Sequence, residues 1–128
     1  MILFVQAFGA LLGMLAVIFG AFGAHRLKKM LGPDRLSSFE TGVKYQFYHA
    51  LLLLVLGFNL GFTTSLETWM AYSLIAGTVL FSFSIYLLCL FEKQGKGLKL
   101  IGVLTPLGGL LLLIGWALLL YYFFENMV

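Results

Sequence analysis

Of the 128 residues in this chain, 62% are apolar and 10% charged, where a soluble domain has roughly 45–50% and about 25%. That balance excludes an ordinary soluble domain. The eight basic and five acidic residues all fall between four long apolar runs or just after the last, so the net charge of +3 marks a membrane surface rather than a nucleic-acid-binding patch.

A helix needs about 20 mainly apolar residues to cross a hydrocarbon core of roughly 30 Å. The first run, Ile2–Ala24, lacks a basic leader and exceeds the apolar stretch of a signal peptide, so it reads as a retained span. The loop that follows, from His25 to Gln46, is long enough to hold structure of its own. Gly32, Pro33 and Asp34 signal a turn, and Ser37 and Glu40 have the spacing of a capping box. Leu36, Phe39, Val43 and Phe47 recur at three and four residues. The pattern predicts a short amphipathic helix over about 34–46, lying in the cytoplasmic interface and turning into a second span, Phe47–Phe62. Thr63–Thr68 is a short connection. Trp69–Phe91 is a third span, Glu92–Lys99 a tight basic turn, and Leu100–Phe124 a fourth span. The lone Cys89 has no intrachain disulfide partner and reads as a structural thiol.

Basic residues orient these spans. Arg26, Lys28, Lys29, Arg35 and Lys44 lie in the first loop, and Lys93, Lys96 and Lys99 in the third. The N-terminus, the second loop and the C-terminus carry none. By the positive-inside rule, loops one and three are cytoplasmic and both termini lie outside. The expected architecture is a single all-α domain, a membrane-embedded four-helix bundle with N-out/C-out topology. The same eight side chains are the candidates for contact with lipid headgroups, anionic ones above all.

Small residues form stripes along the spans: Gly9, Gly13, Ala16, Gly20 and Ala24 in the first, Gly57 and Gly61 in the second, Gly108 and Gly115 in the fourth. Close helix packing is the reading preferred over a pore lined by small residues. Polar residues gather at one depth. His25, Tyr45, Gln46, His49, Ser82, Ser84, Tyr86 and Thr105 all fall within roughly 15 Å of the cytoplasmic side at 1.5 Å per residue. They are expected to converge in one polar layer, where His25 and His49 can approach each other. Interface anchoring and interhelical hydrogen bonding are preferred there over a proton or substrate path. Two histidines without a fixed third ligand are only a weak metal signal. Pro106 removes an amide donor and frees the Gly102 carbonyl, so a kink is expected, with Ser82 and Ser84 as candidates to satisfy the freed groups. No span holds an acidic residue, and no nucleophile, phosphate or cofactor motif is present.

Several motifs in order resemble a known family. They are Gly20-Ala21-Phe22-Gly23-Ala24-His25, Val43-Lys44-Tyr45-Gln46-Phe47-Tyr48-His49-Ala50, Phe81-Ser82-Phe83-Ser84-Ile85-Tyr86, Thr105-Pro106-Leu107-Gly108-Gly109 and Gly115-Trp116. Together they resemble the small bacterial membrane proteins grouped as domain of unknown function 423. Phe83 stands where that family more often has glycine. The resemblance implies a four-helix inner-membrane protein with no established reaction. The favoured function is a structural or lipid-interacting protein that supports membrane integrity, with no enzymatic activity and no cofactor. The alternatives are a small channel or transporter, as a homo-oligomer, that uses the polar layer, and an accessory subunit of a membrane complex.

Overall fold

The computed structural model describes residues 1–91 and 98–128. Four long helices make up the fold: α1 (Ile2–Met30), α2 (Pro33–Asn59), α3 (Ser65–Phe91) and α4 (Leu98–Met127). Three of them, α1, α3 and α4, are long and apolar enough to cross a membrane. α2 is as long, but its first half carries Asp34, Arg35, Glu40 and Lys44. The basic turn and its Lys93 and Lys96 lie outside the described residues.

The predicted interfacial helix does not stand apart from the second span. Pro33–Asn59 is one uninterrupted helix. Its N-cap is Gly32, with Pro33 in the first turn, where the missing amide costs nothing. Ser37 is therefore four residues inside the helix, not at a capping box, and its carbonyl accepts from Thr41 Oγ1 at 3.0 Å. The amphipathic period is present, but Leu36, Phe39 and Val43 pack on protein while Phe47 is exposed. Phe39 is 2% exposed and packs with Leu27, Ile85, Tyr86 and Cys89. The capping box lies instead at the start of α3, where Thr64 and Glu67 satisfy each other's backbone amides. Between α2 and α3 the buried Phe62 takes a left-handed conformation, φ 53°, and its side chain joins the main core.

Two antiparallel pairs, α1 with α2 and α3 with α4, hold the closest contacts. Glycine makes both possible. A Cβ at Gly9 would meet the Ala50 carbonyl at 3.1 Å, and one at Gly57 would meet Gln6 Cγ at 2.7 Å. A Cβ at Gly77 would lie 2.8 Å from the Leu112 amide nitrogen, and one at Gly115 would lie 2.6 Å from Leu74 Cδ2. At Gly108 it would run into the Phe81 backbone. The stripes thus pack helix against helix. Ala24 departs from its stripe: it is exposed, and Gly23 and Leu27 take the inward positions.

Helices α1 and α3 each contain one π turn, Gly23–Leu27 and Val79–Phe83. Both fall toward the basic end of the bundle, beside the buried polar side chains. α4 runs through Pro106 as a continuous helix.

Helix approach at glycine can be tested directly. Gly77→Ala forces α3 and α4 apart at backbone and is expected to destabilise by roughly 1–3 kcal/mol, as overpacking does. Gly102→Ala meets nothing within 4 Å and should leave stability unchanged or slightly raised. Thermal unfolding in detergent compares the two.

Candidate functional site

α2 supplies the centre of the polar layer. Gly42, Gln46 and His49 follow one another at four and three residues, so a single helix face turns all three inward. Gln46 is 0% exposed. Its Nε2 donates to the Leu12 carbonyl of α1 at 2.8 Å, and its Oε1 accepts from Tyr86 Oη of α3 at 2.7 Å. One amide ties three helices.

Beside it, Ser82 Oγ donates to the Gly42 carbonyl at 2.7 Å. Glycine is needed there, because a Cβ would lie 2.8 Å from Tyr86 Cε1. The Tyr86 ring is enclosed by Phe39, Phe19 and Phe83, with centroids at 4.8, 5.1 and 5.5 Å. Phe83 fills the space between α1 and α3 and lies edge-on to Phe19.

His49 is also enclosed. Its Nδ1 lies 2.7 Å from the Tyr45 carbonyl, and its Nε2 lies 3.1 Å from Trp116 Nε1 of α4. A carbonyl only accepts and an indole N–H only donates. The imidazole is therefore neutral, with its proton on Nδ1. Ser84 Oγ donates to the Phe81 carbonyl at 2.9 Å and lies 2.6 Å from Thr105 Oγ1. With its one hydrogen committed, Ser84 must accept from Thr105. Neither serine reaches the carbonyl that Pro106 frees.

The layer thus gathers Gln46, His49, Ser82, Ser84, Tyr86 and Thr105. His25 does not join. It lies two residues beyond the inward Gly23, on the opposite side of α1, and is exposed. The antiparallel register pairs Gly23 with Phe39 and Gly13 with Ala50, which places the two histidines about three helical turns apart. Tyr45 is half exposed, its ring 4.9 Å from that of Phe81. Trp116 was not singled out as a site residue. The signal was its neighbour Gly115, which lets α4 close against Leu74.

Among the described residues, no buried side-chain nitrogen or oxygen lacks a hydrogen-bond partner. Such a layer is suited to locking helices together. Arg26, Lys28, Lys29, Lys44 and Lys99 are exposed, and Arg35 is half-buried. A cleft of about 580 Å³ opens between the start of α2, the end of α3 and the first half of α4. Asp34, Arg35, Thr41, Leu88, Thr105 and Pro106 are among its walls.

Residues 19–109 match the protein family of unknown function DUF423. The chain belongs to this family. The matched segment runs from the middle of α1 through the first third of α4 and holds every member of the polar layer except Trp116. A UPF0382 membrane protein of Staphylococcus aureus is 40% identical over 117 residues, covering 91% of this chain and 92% of the relative. One from Staphylococcus saprophyticus is 42% identical over 111 residues, covering 87% and 88%. The UPF0382 inner membrane protein YgdD of Escherichia coli K12 is 39% identical over 120 residues, covering 91% and 86%. No solved structure matches. Family and apolar helices together make the chain a multi-pass membrane protein.

The Gln46–Tyr86 bond gives a coupled prediction. Gln46→Leu removes the acceptor of the Tyr86 hydroxyl and should cost roughly 1–3 kcal/mol. Tyr86→Phe strands Gln46 Oε1 and should cost less, since that amide keeps its bond to Leu12. The double variant is expected to lose less than the two single losses together. Unfolding titrations of the four proteins in detergent measure the coupling.

Proposed function

We propose that this protein is a non-enzymatic, lipid-interacting structural element of the membrane, with all four helices in the bilayer and both termini outside. One observation carries the reading: the polar groups inside the bundle bond one another, while the exposed basic residues collect at its other surface, at one end. A transport path would need inward polar groups open to an ion or solute. Here the amide, imidazole and hydroxyls are engaged between helices. Arg26, Lys28, Lys29 and Lys99 face outward and are placed to meet anionic headgroups, worth about 1 kcal/mol each near such a surface.

α2 enters the bilayer in this reading although its composition is mixed. The bundle covers its Gln46 and His49, and its second half, Ala50–Phe58, is apolar.

Two outcomes follow. A reporter active only outside the inner membrane is expected to work when fused after Val128 and to be silent when inserted at Gly95. The reverse pattern would invert the topology. Detergent-solubilised protein should melt at a higher temperature with phosphatidylglycerol or cardiolipin than with phosphatidylcholine. Replacing Lys28, Lys29 and Lys99 by Gln should shrink that difference, and equal melting of the parent protein in all three lipids would defeat the lipid reading.

A further inference from the structure

The seam between α1 and α2 carries charge where a membrane protein usually avoids it. Its register is set by close contacts: Gly23 against Phe39, Gly20 against Val43, Gly13 against Ala50 and Gly9 against Leu53. That register places Glu40 level with Phe22 and Lys44 level with Ile18 or Phe19. Both charged side chains are exposed. They lie beside the apolar run Ile2–Ala24, with Lys44 roughly 8 Å inside its end at 1.5 Å per residue. Exposed charges at such depth are rare and point to a function.

Two furrows meet at these residues. One, of about 150 Å³, is floored by Gly20 and Gly23 and edged by Phe19, Phe39 and Glu40. The other, of about 290 Å³, continues toward the bilayer centre between Ala16, Val17, Phe47 and Tyr48. Val43 and Lys44 border both, so the furrows run end to end. Read inward from the basic end, the seam presents a carboxylate, then an ammonium one helical turn deeper, then an apolar channel.

We propose that this seam seats one phospholipid with a primary ammonium headgroup, such as phosphatidylethanolamine. The inference rests on the lipid-interacting reading but uses different residues. The order of groups along the seam is the order along that lipid. The headgroup ammonium lies outermost and meets Glu40. The phosphate lies next and takes Lys44. One acyl chain follows the furrow past Val17 and Tyr48. Phosphatidylglycerol has no cation for Glu40, and the quaternary ammonium of phosphatidylcholine has no N–H to donate.

Native mass spectrometry of the full chain in detergent, with equimolar phosphatidylethanolamine, phosphatidylglycerol and phosphatidylcholine, tests this. One phosphatidylethanolamine should be retained roughly tenfold over either competitor, the lower end of what one hydrogen bond to a charged group supplies. Glu40→Gln should equalise phosphatidylethanolamine and phosphatidylglycerol, and Lys44→Gln should lower retention of all three. The combined Lys28→Gln, Lys29→Gln and Lys99→Gln protein should keep the preference even if its stabilisation by anionic lipid is gone. The parent protein alone gives a second readout, in which retention falls as the headgroup nitrogen carries one, two and three methyl groups. No preference in the parent, a flat methylation series, a preference that survives Glu40→Gln, or one that vanishes with the end-lysine changes would each overturn the proposal.

Discussion

The rest of this structure depends on how closely its helix backbones approach. In hydrocarbon, side chains gain little by leaving an environment as apolar as themselves, so helices adhere through close contact and through hydrogen bonds. The glycines allow that contact in both pairs. Gly9 and Gly57 close α1 on α2, and Gly77, Gly108 and Gly115 close α3 on α4. Only at such separations do short polar side chains reach across. Ser82 touches the Gly42 carbonyl because position 42 has no side chain, and Tyr86 occupies the space left over. Glycine packing and the polar layer are one device. The first brings backbones near, and the second fixes their rotation.

Gln46 shows how that rotation is fixed. A leucine there could slide against its neighbours, whereas an amide bonded to α1 on one side and α3 on the other admits one arrangement. His49 does the same for α4 through Trp116, and the Ser84–Thr105 pair joins α3 to α4. All four helices are thus registered at one depth by a few directional bonds. The opposite end is joined more sparsely, with Gln6 Nε2 on the Gly57 carbonyl at 2.9 Å as its interhelical bond.

Composition and spacing made the helices legible, because a run of twenty apolar residues has few other uses. They also brought Gln46, His49, Ser82, Ser84, Tyr86 and Thr105 to a common depth. What they did not carry was rotation about each helix axis. His25 has the right depth and faces outward. Trp116 meets His49 across the bundle, and only the adjoining Gly115 hints at the close approach. The start of α2 is ambiguous in sequence for a related reason. Leu36, Phe39 and Val43 have the spacing of a helix resting on lipid, and the same spacing suits a helix resting on protein. Choosing between them requires knowing that Leu27, Ile85, Tyr86 and Cys89 converge on Phe39, which no local pattern contains. Thr64–Glu67 and Ser37–Glu40 share the capping-box spacing, but only the first stands at a helix start.

α2 also explains why a mixed-composition helix belongs in this bundle. Its inward groups meet partners on α1, α3 and α4, so their burial leaves no hydrogen bond unmade among the described residues. Its outward charges cannot be treated that way. Glu40 and Lys44 stand one turn apart, beside the glycine face of α1, and border a shallow furrow. A helix that only needed to fill the bundle would carry apolar residues at both positions, as α1 does opposite them with Ile18 and Phe22. Keeping a carboxylate and an ammonium in that order, at that depth, makes physical sense if the surrounding solvent supplies the complementary order of charge. In the proposed arrangement, the solvent at that depth is the phospholipid itself.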